Sequence, residues 1–136
     1  MNRSLLILVP ILTLSACASQ NSAITASDSQ VYVRQMQTRV YESLDKHDTL
    51  RSVLATLQDL GFVIDTADYE MATITATKLQ DYQLRVTVTV KDRNYNQLAV
   101  RANARIDDQI IDDPATYQDF FTVLDKAMFL TRHDVD

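Results

Sequence analysis

Asp107, Asp108, Asp112 and Asp113 crowd the segment DDQIIDDP. Several carboxylates on one loop are the hard oxygen donors that Ca²⁺ prefers. Their spacing is not that of an EF-hand, and no Gly supplies the sharp turn such a loop needs. Asp113, just before Pro114, is better used as a helix N-cap. No metal is expected. His47 and His133 lie in polar segments, near a helix start and near the chain end, and both read as solvated surface. Gly61 is the only Gly, which rules out a Gly-rich phosphate loop. CxxC, HExxH and GxSxG are absent. The chain has one Cys, Cys17, which cannot pair within the chain. No catalytic residue and no cofactor follow from these residues, so a non-enzymatic role is expected.

The remaining chemistry is charge on a surface. Gln83 to Lys91, QLRVTVTVK, alternates strictly. Leu84, Val86, Val88 and Val90 point one way on a strand; Arg85, Thr87, Thr89 and Lys91 point the other. Gln97 to Ile106 repeats the pattern, with Leu98, Val100, Ala102, Ala104 and Ile106 against Ala99, Arg101, Asn103 and Arg105. Thr73, Thr75 and Thr77 extend the polar side. Arg85, Thr87, Thr89, Lys91, Arg101, Asn103 and Arg105 are therefore the candidate partner-binding face. An antiparallel sheet commonly keeps one face wet, and Thr favours strands for its own reasons. The residues leave open both a solvated face and a docking surface for a partner protein or an anionic component.

The elements around this face are predicted as follows. Val31–Glu42 mixes β-branched, aromatic and polar residues and reads as a strand, with a helix as its competitor. As a sheet edge it could accept another chain's strand, or be guarded by Arg34 and Arg39. Leu50, Val53, Leu54, Leu57 and Leu60 form one helical stripe, with Asp48 as N-cap and Gly61 at the left-handed C′ position. Phe62–Ile64 is a short strand, residues 65–70 a turn, and residues 92–96 a hairpin loop. Asp113 and Pro114 open a second helix striped by Tyr117, Phe120, Phe121, Leu124 and Met128. The two helices can bury their stripes only on the apolar strand faces. The expected fold is α+β: a two-layer sandwich, an antiparallel sheet of four to five strands with two helices on one face, in the order β-α-β-β-β-α.

The chain has 136 residues, enough for one domain. Hydrophobic residues are 46% and charged residues 23%, ordinary for a globular protein, so global disorder is excluded. With 13 basic and 18 acidic side chains the net charge is −5, which argues against non-specific nucleic-acid binding.

Residues 1–17 read MNRSLLILVPILTLSAC. A basic Arg3 precedes an apolar run from Leu5 to Leu14, far short of the roughly 20 residues that span a bilayer. This fits a secretory signal. The run ends in Leu14-Ser15-Ala16-Cys17, which resembles the lipobox of bacterial lipoproteins. That resemblance implies cleavage after residue 16, diacylglycerol on the Cys17 sulfur and acylation of its new amino group. It also implies the outer membrane, because Ala18, not Asp, follows the Cys. The signal takes Arg3 with it, leaving 12 basic and 18 acidic side chains, a charge of −6. Residues 17–30, lipidated Cys plus ASQNSAITASDSQ, read as a flexible tether. Residues 31–136 are the single domain.

The run LGFVID after the leucine helix, a turn and an alternating Thr/Ile strand cover Leu50 to Thr77. They resemble the helix-grip or TBP-like domains of small outer-membrane assembly lipoproteins, such as the lipoprotein C subunit of the Bam machine and the lipopolysaccharide-assembly lipoprotein LptE. Those domains usually carry a Gly where Met71-Ala72 stands here. The lipobox-like anchor, the tether, the small α+β domain and the missing catalytic set together point to a non-enzymatic accessory of an envelope assembly, secretion or transport complex, held at the membrane through Cys17 and touching a protein partner. The alternative is a lipid or ligand carrier, with a cavity between Phe120, Phe121, Met128 and the Leu84–Val90 face.

Overall fold

Leucines at helical spacing and valines at strand spacing dictate two layers, and both form. The computed structural model describes residues 21–42, 45–80 and 82–133. The order is α1 (Asn21–Met36), β1 (Thr38–Glu42), α2 (Lys46–Asp59), β2 (Val63–Asp68), β3 (Thr73–Leu79), β4 (Gln83–Asn94), β5 (Gln97–Ile106), β6 (Gln109–Ile110) and α3 (Pro114–His133). The sheet runs β1-β5-β4-β3-β2 with every neighbour antiparallel, and β6 pairs with the end of β5. The fold is α+β, as expected, with α1 and β6 as additions.

The core lies between the sheet and helices α2 and α3. Leu50, Val53 and Leu57 of α2 are buried, as are Tyr117, Phe120, Phe121, Leu124 and Met128 of α3. They meet Ile74, Ala76, Val86, Val88, Val90, Leu98, Val100, Ala102 and Ala104 of the sheet. Thr56 is fully buried among them, and its Oγ1 is the one buried side-chain polar atom without a partner among the described residues. A buried hydroxyl that bonds nothing is a net cost. Thr56→Val removes it at nearly constant shape. We expect a gain of about 1 kcal/mol, read as a higher urea midpoint; a lower midpoint would show that the hydroxyl is bonded after all.

Both helices start and stop for local reasons. Asp113 caps α3, its Oδ2 accepting from Thr116 N at 3.2 Å, and Pro114 is the first helical residue. The α2 cap is Asp45, not Asp48: Asp45 Oδ1 accepts from Asp48 N at 2.9 Å. Asp48 sits inside the first turn, where its charge suits the helix dipole. At the other end Gly61 has φ +83, Phe62 N donates to Leu57 O, and Gly61 N donates to Gln58 O, both at 2.9 Å. This is a Schellman turn, which needs the left-handed residue that Gly adopts without strain. Ala72 also takes a positive φ, 50. Its side chain is buried there at 4% exposure.

Two expectations are corrected at the N-terminal side. The strand begins at Thr38, not Val31, and residues 21–36 are helical where a tether to residue 30 and then a strand are expected. No Gly or Pro occurs from residue 18 to residue 42, so nothing in the backbone interrupts a helix there. The helix ends because Gln37 joins the sheet: its N–H still closes on Val33 O, while its carbonyl accepts from Ala102 N at 2.8 Å. The signal segment and Cys17 lie outside the described residues.

Candidate docking face

The strict alternation of β4 and β5 sets which side chains face away from the helices. The register places Arg85 opposite Arg105, Thr87 opposite Asn103, Thr89 opposite Arg101 and Lys91 opposite Ala99. Thr73, Thr75 and Thr77 of β3 continue these rungs beside Thr89, Thr87 and Arg85. All seven candidate residues therefore share one face. Their even-numbered neighbours Val86, Val88, Val90, Val100, Ala102 and Ala104 are buried on the other side. Arg85, Lys91, Arg101 and Arg105 are exposed, and the threonines and Asn103 between them are half-buried.

Among the described residues, the ion pairs join Arg39 to Asp125, Lys46 to Asp92 and Arg51 to Asp48. None involves a cation of the face. Arg101 donates through Nη2 to Gln37 Oε1 at 3.2 Å, so it is held at the β1 side. Arg85, Lys91 and Arg105 form no ion pair on a protein whose formal charge is −5. Four rungs at about 3.4 Å per residue spread this charge along roughly 20 Å of sheet.

The edge strand β1 is less available than the open face. Arg34 lies in α1 and cannot guard this edge. Arg39 does not point outward either: its guanidinium sits 4.8 Å from the Phe121 ring centre and 2.6 Å from Asp125 Oδ2. Tyr41 Oη donates to Asp125 Oδ1 at 2.7 Å. Burial and the adjoining Asp125 carboxylate push the Tyr41 hydroxyl well above its ordinary range, so it remains a donor. Together these contacts pin β1 to α3. At the opposite edge, β2 carries a bulge between Ile64 and Thr66 and the acidic Asp65 and Asp68, features that discourage strand addition.

The other candidates separate. The four aspartates do not gather: Asp113 is a cap, and no group of three or more metal-ligating side chains forms among the described residues. His47 stacks on Tyr69 with ring centres 4.7 Å apart, and His133 meets Phe129 edge-on at 4.1 Å. Both histidines are exposed. An apolar cleft of about 180 Å³ opens between the helix layer and the sheet, lined by Leu57, Phe62, Leu84, Val86 and Phe120, with Lys78 and Asp119 beside them. Phe121 and Met128, expected in such a cavity, are packed in the core instead. The cleft is smaller than the roughly 300–1,000 Å³ that enclose a drug-sized ligand.

Two features escaped the sequence reading. One is the pairing of Gln37 with Tyr117, eighty residues apart. The other is a concavity of about 230 Å³ in which Asp107 and Asp108 join Arg85, Thr87, Asn103 and Arg105. The strand register alone signals the second, since it puts the β5–β6 turn beside the start of β4. Compared with known proteins, the chain matches no family model and no curated protein.

Proposed function

We propose that this protein is a lipid-anchored accessory of an envelope complex, held on the periplasmic side of the bacterial outer membrane by Cys17 and engaging a protein partner through the open sheet face. The observation that carries the reading is the collection of Arg85, Lys91, Arg101 and Arg105 on the one sheet face opposite α2 and α3. A wet face needs no such cluster of cations on two adjacent strands of a chain with five more acidic than basic side chains, even with Asp68, Asp107 and Asp108 at its borders. The lipobox-like Leu14-Ser15-Ala16-Cys17 supports the location. No helix among the described residues is long and apolar enough to cross a membrane, so a lipid would supply the attachment. The small cleft favours an adaptor over a lipid carrier.

The test uses photo-crosslinking side chains placed at Thr89 on the face and at Gln58 on exposed α2. Crosslinks in intact cells are expected from Thr89 and not from Gln58. Arg85→Glu with Lys91→Glu is expected to abolish the Thr89 crosslink and to leave the thermal midpoint within about 2 °C, because exposed charges contribute little to stability. Unchanged partner recovery from the double variant would sink the docking role. Arg101 is left alone because it also holds Gln37.

A further inference from the structure

We propose that the end of the open face formed by Arg85, Arg105 and the β5–β6 turn binds an amino-acid head group, a carboxylate with an ammonium beside it. The inference goes beyond the adaptor reading and does not depend on it.

Arg85 and Arg105 face each other directly across β4 and β5. Opposed residues of an antiparallel pair hold their Cβ atoms about 5 Å apart, and like charges so placed repel. A carboxylate between two guanidiniums removes that repulsion and accepts forked hydrogen bonds from either. The opposite charge lines the same concavity: Asp107 and Asp108 stand on the turn between β5 and β6. Asp107 adopts φ 52, and its N–H donates to Gln83 O at 3.2 Å, which ties the turn to β4. Yet neither aspartate pairs with either arginine, since the ion pairs of the described residues lie elsewhere. The concavity thus holds both signs with no ion pair between them.

Its remaining lining is neutral and polar. The Asn103 side chain makes no hydrogen bond among the described residues, and the Thr87 hydroxyl has only a long 3.4 Å contact with Thr75. Both can donate to or accept from a ligand. A simple anion would meet the two aspartates, and a simple cation would meet the two arginines. A group carrying both charges a few bonds apart satisfies all four. The volume, about 230 Å³, suits a head group with a short side chain.

The probe is alanine, with propionate and ethylamine as its two halves, titrated into the ¹⁵N-labelled full chain in detergent micelles. Shifts of the Asn103 side-chain amide and of the arginine Nε–H groups report binding. Alanine is expected to saturate at a concentration at least tenfold below either half. Arg105→Gln, and separately Asp107→Asn with Asp108→Asn, are each expected to weaken alanine tenfold or more without moving the thermal midpoint. Free alanine and a peptide bearing a diaminopimelate side chain offer the same head group, and the tighter of the two identifies the source. The proposal fails if propionate equals alanine, if the aspartate variant binds alanine more tightly, or if no shift saturates.

Discussion

Cys17→Ser is expected to release the protein from membranes into the soluble periplasmic fraction. The size of this effect follows from the chemistry of the anchor. Each buried CH₂ of an acyl chain contributes about 0.8 kcal/mol, and a single myristoyl chain holds a protein only marginally and reversibly. The three chains that a lipobox implies lie far beyond that margin, so attachment is effectively permanent. Serine offers no thiol for the thioether, and the variant is expressed behind a conventionally cleaved secretory signal so that no unprocessed apolar segment holds it in the membrane. No described helix can span a bilayer, and the open face, though locally cationic, belongs to an acidic chain. The measurement is sedimentation of washed membranes together with gel mobility. Wild type should pellet and migrate as the lipidated form, and the variant should do neither. A variant that still pellets with unchanged mobility would remove the proposed location and, with it, the reason to look for an envelope partner.

The face and the N-terminal side were legible in the sequence to very different depths. Parity in QLRVTVTVK and QLAVRANARI assigns the side chains of residues 83–91 and of β5 to a layer, whereas β4 runs on to Asn94 through a register shift that the expected loop at residues 92–96 does not show. The stripe on α3 is equally clear: each of its five apolar positions is buried. The N-terminal side was illegible for a physical reason. Helix α1 has no apolar stripe, so no period marks it, and Val31, Tyr32 and Val33 favour a strand by propensity alone. Tertiary pairing, through Gln37 and Ala102, decides where the helix stops. Asp45 and Asp48 are both plausible caps in sequence, and backbone geometry chooses between them. Arg39 illustrates the same limit. Nothing in VYVRQMQTRVYE says which side of β1 meets α3, whereas the register with β5 turns Arg39 and Tyr41 toward Asp125. The concavity at Arg85 and Arg105 needs the register as well. Its residues come from three chain segments, and their convergence has no local signature.

Tyr117→Phe is expected to destabilise the fold by about 3 kcal/mol, although it removes one oxygen and no carbon. The reason is a gap on one side of β5. β1 pairs with β5 as far as Arg101, and β6 pairs only with Arg105 and Ile106. Between them the strand must find partners elsewhere. Ala102 N uses Gln37 O at 2.8 Å, Ala104 O accepts from Ile111 N at 2.9 Å, and Ala104 N donates to Tyr117 Oη at 3.3 Å. The same hydroxyl accepts from Gln37 Nε2 at 3.1 Å and donates to Ile111 O at 2.6 Å. One donation and two acceptances exhaust a phenol. Phenylalanine keeps the ring and orphans three groups around a residue only 2% exposed. A single buried orphan costs about 1–3 kcal/mol, so the upper end is expected, or a fall of about 10–20 °C in thermal midpoint for a domain of this size. Tyr41→Phe is the control. Its hydroxyl serves only Asp125, which keeps Arg39, and the loss should be smaller. Gln37→Leu combined with Tyr117→Phe should cost less than the sum of the two, because the mutual bond is removed from both ends at once. A drop below about 2 °C for Tyr117→Phe would mean that water fills the gap. The seam between β1 and β6 would then be wet, and Gln37 would not be the fixed point from which Arg101 is aimed at the open face.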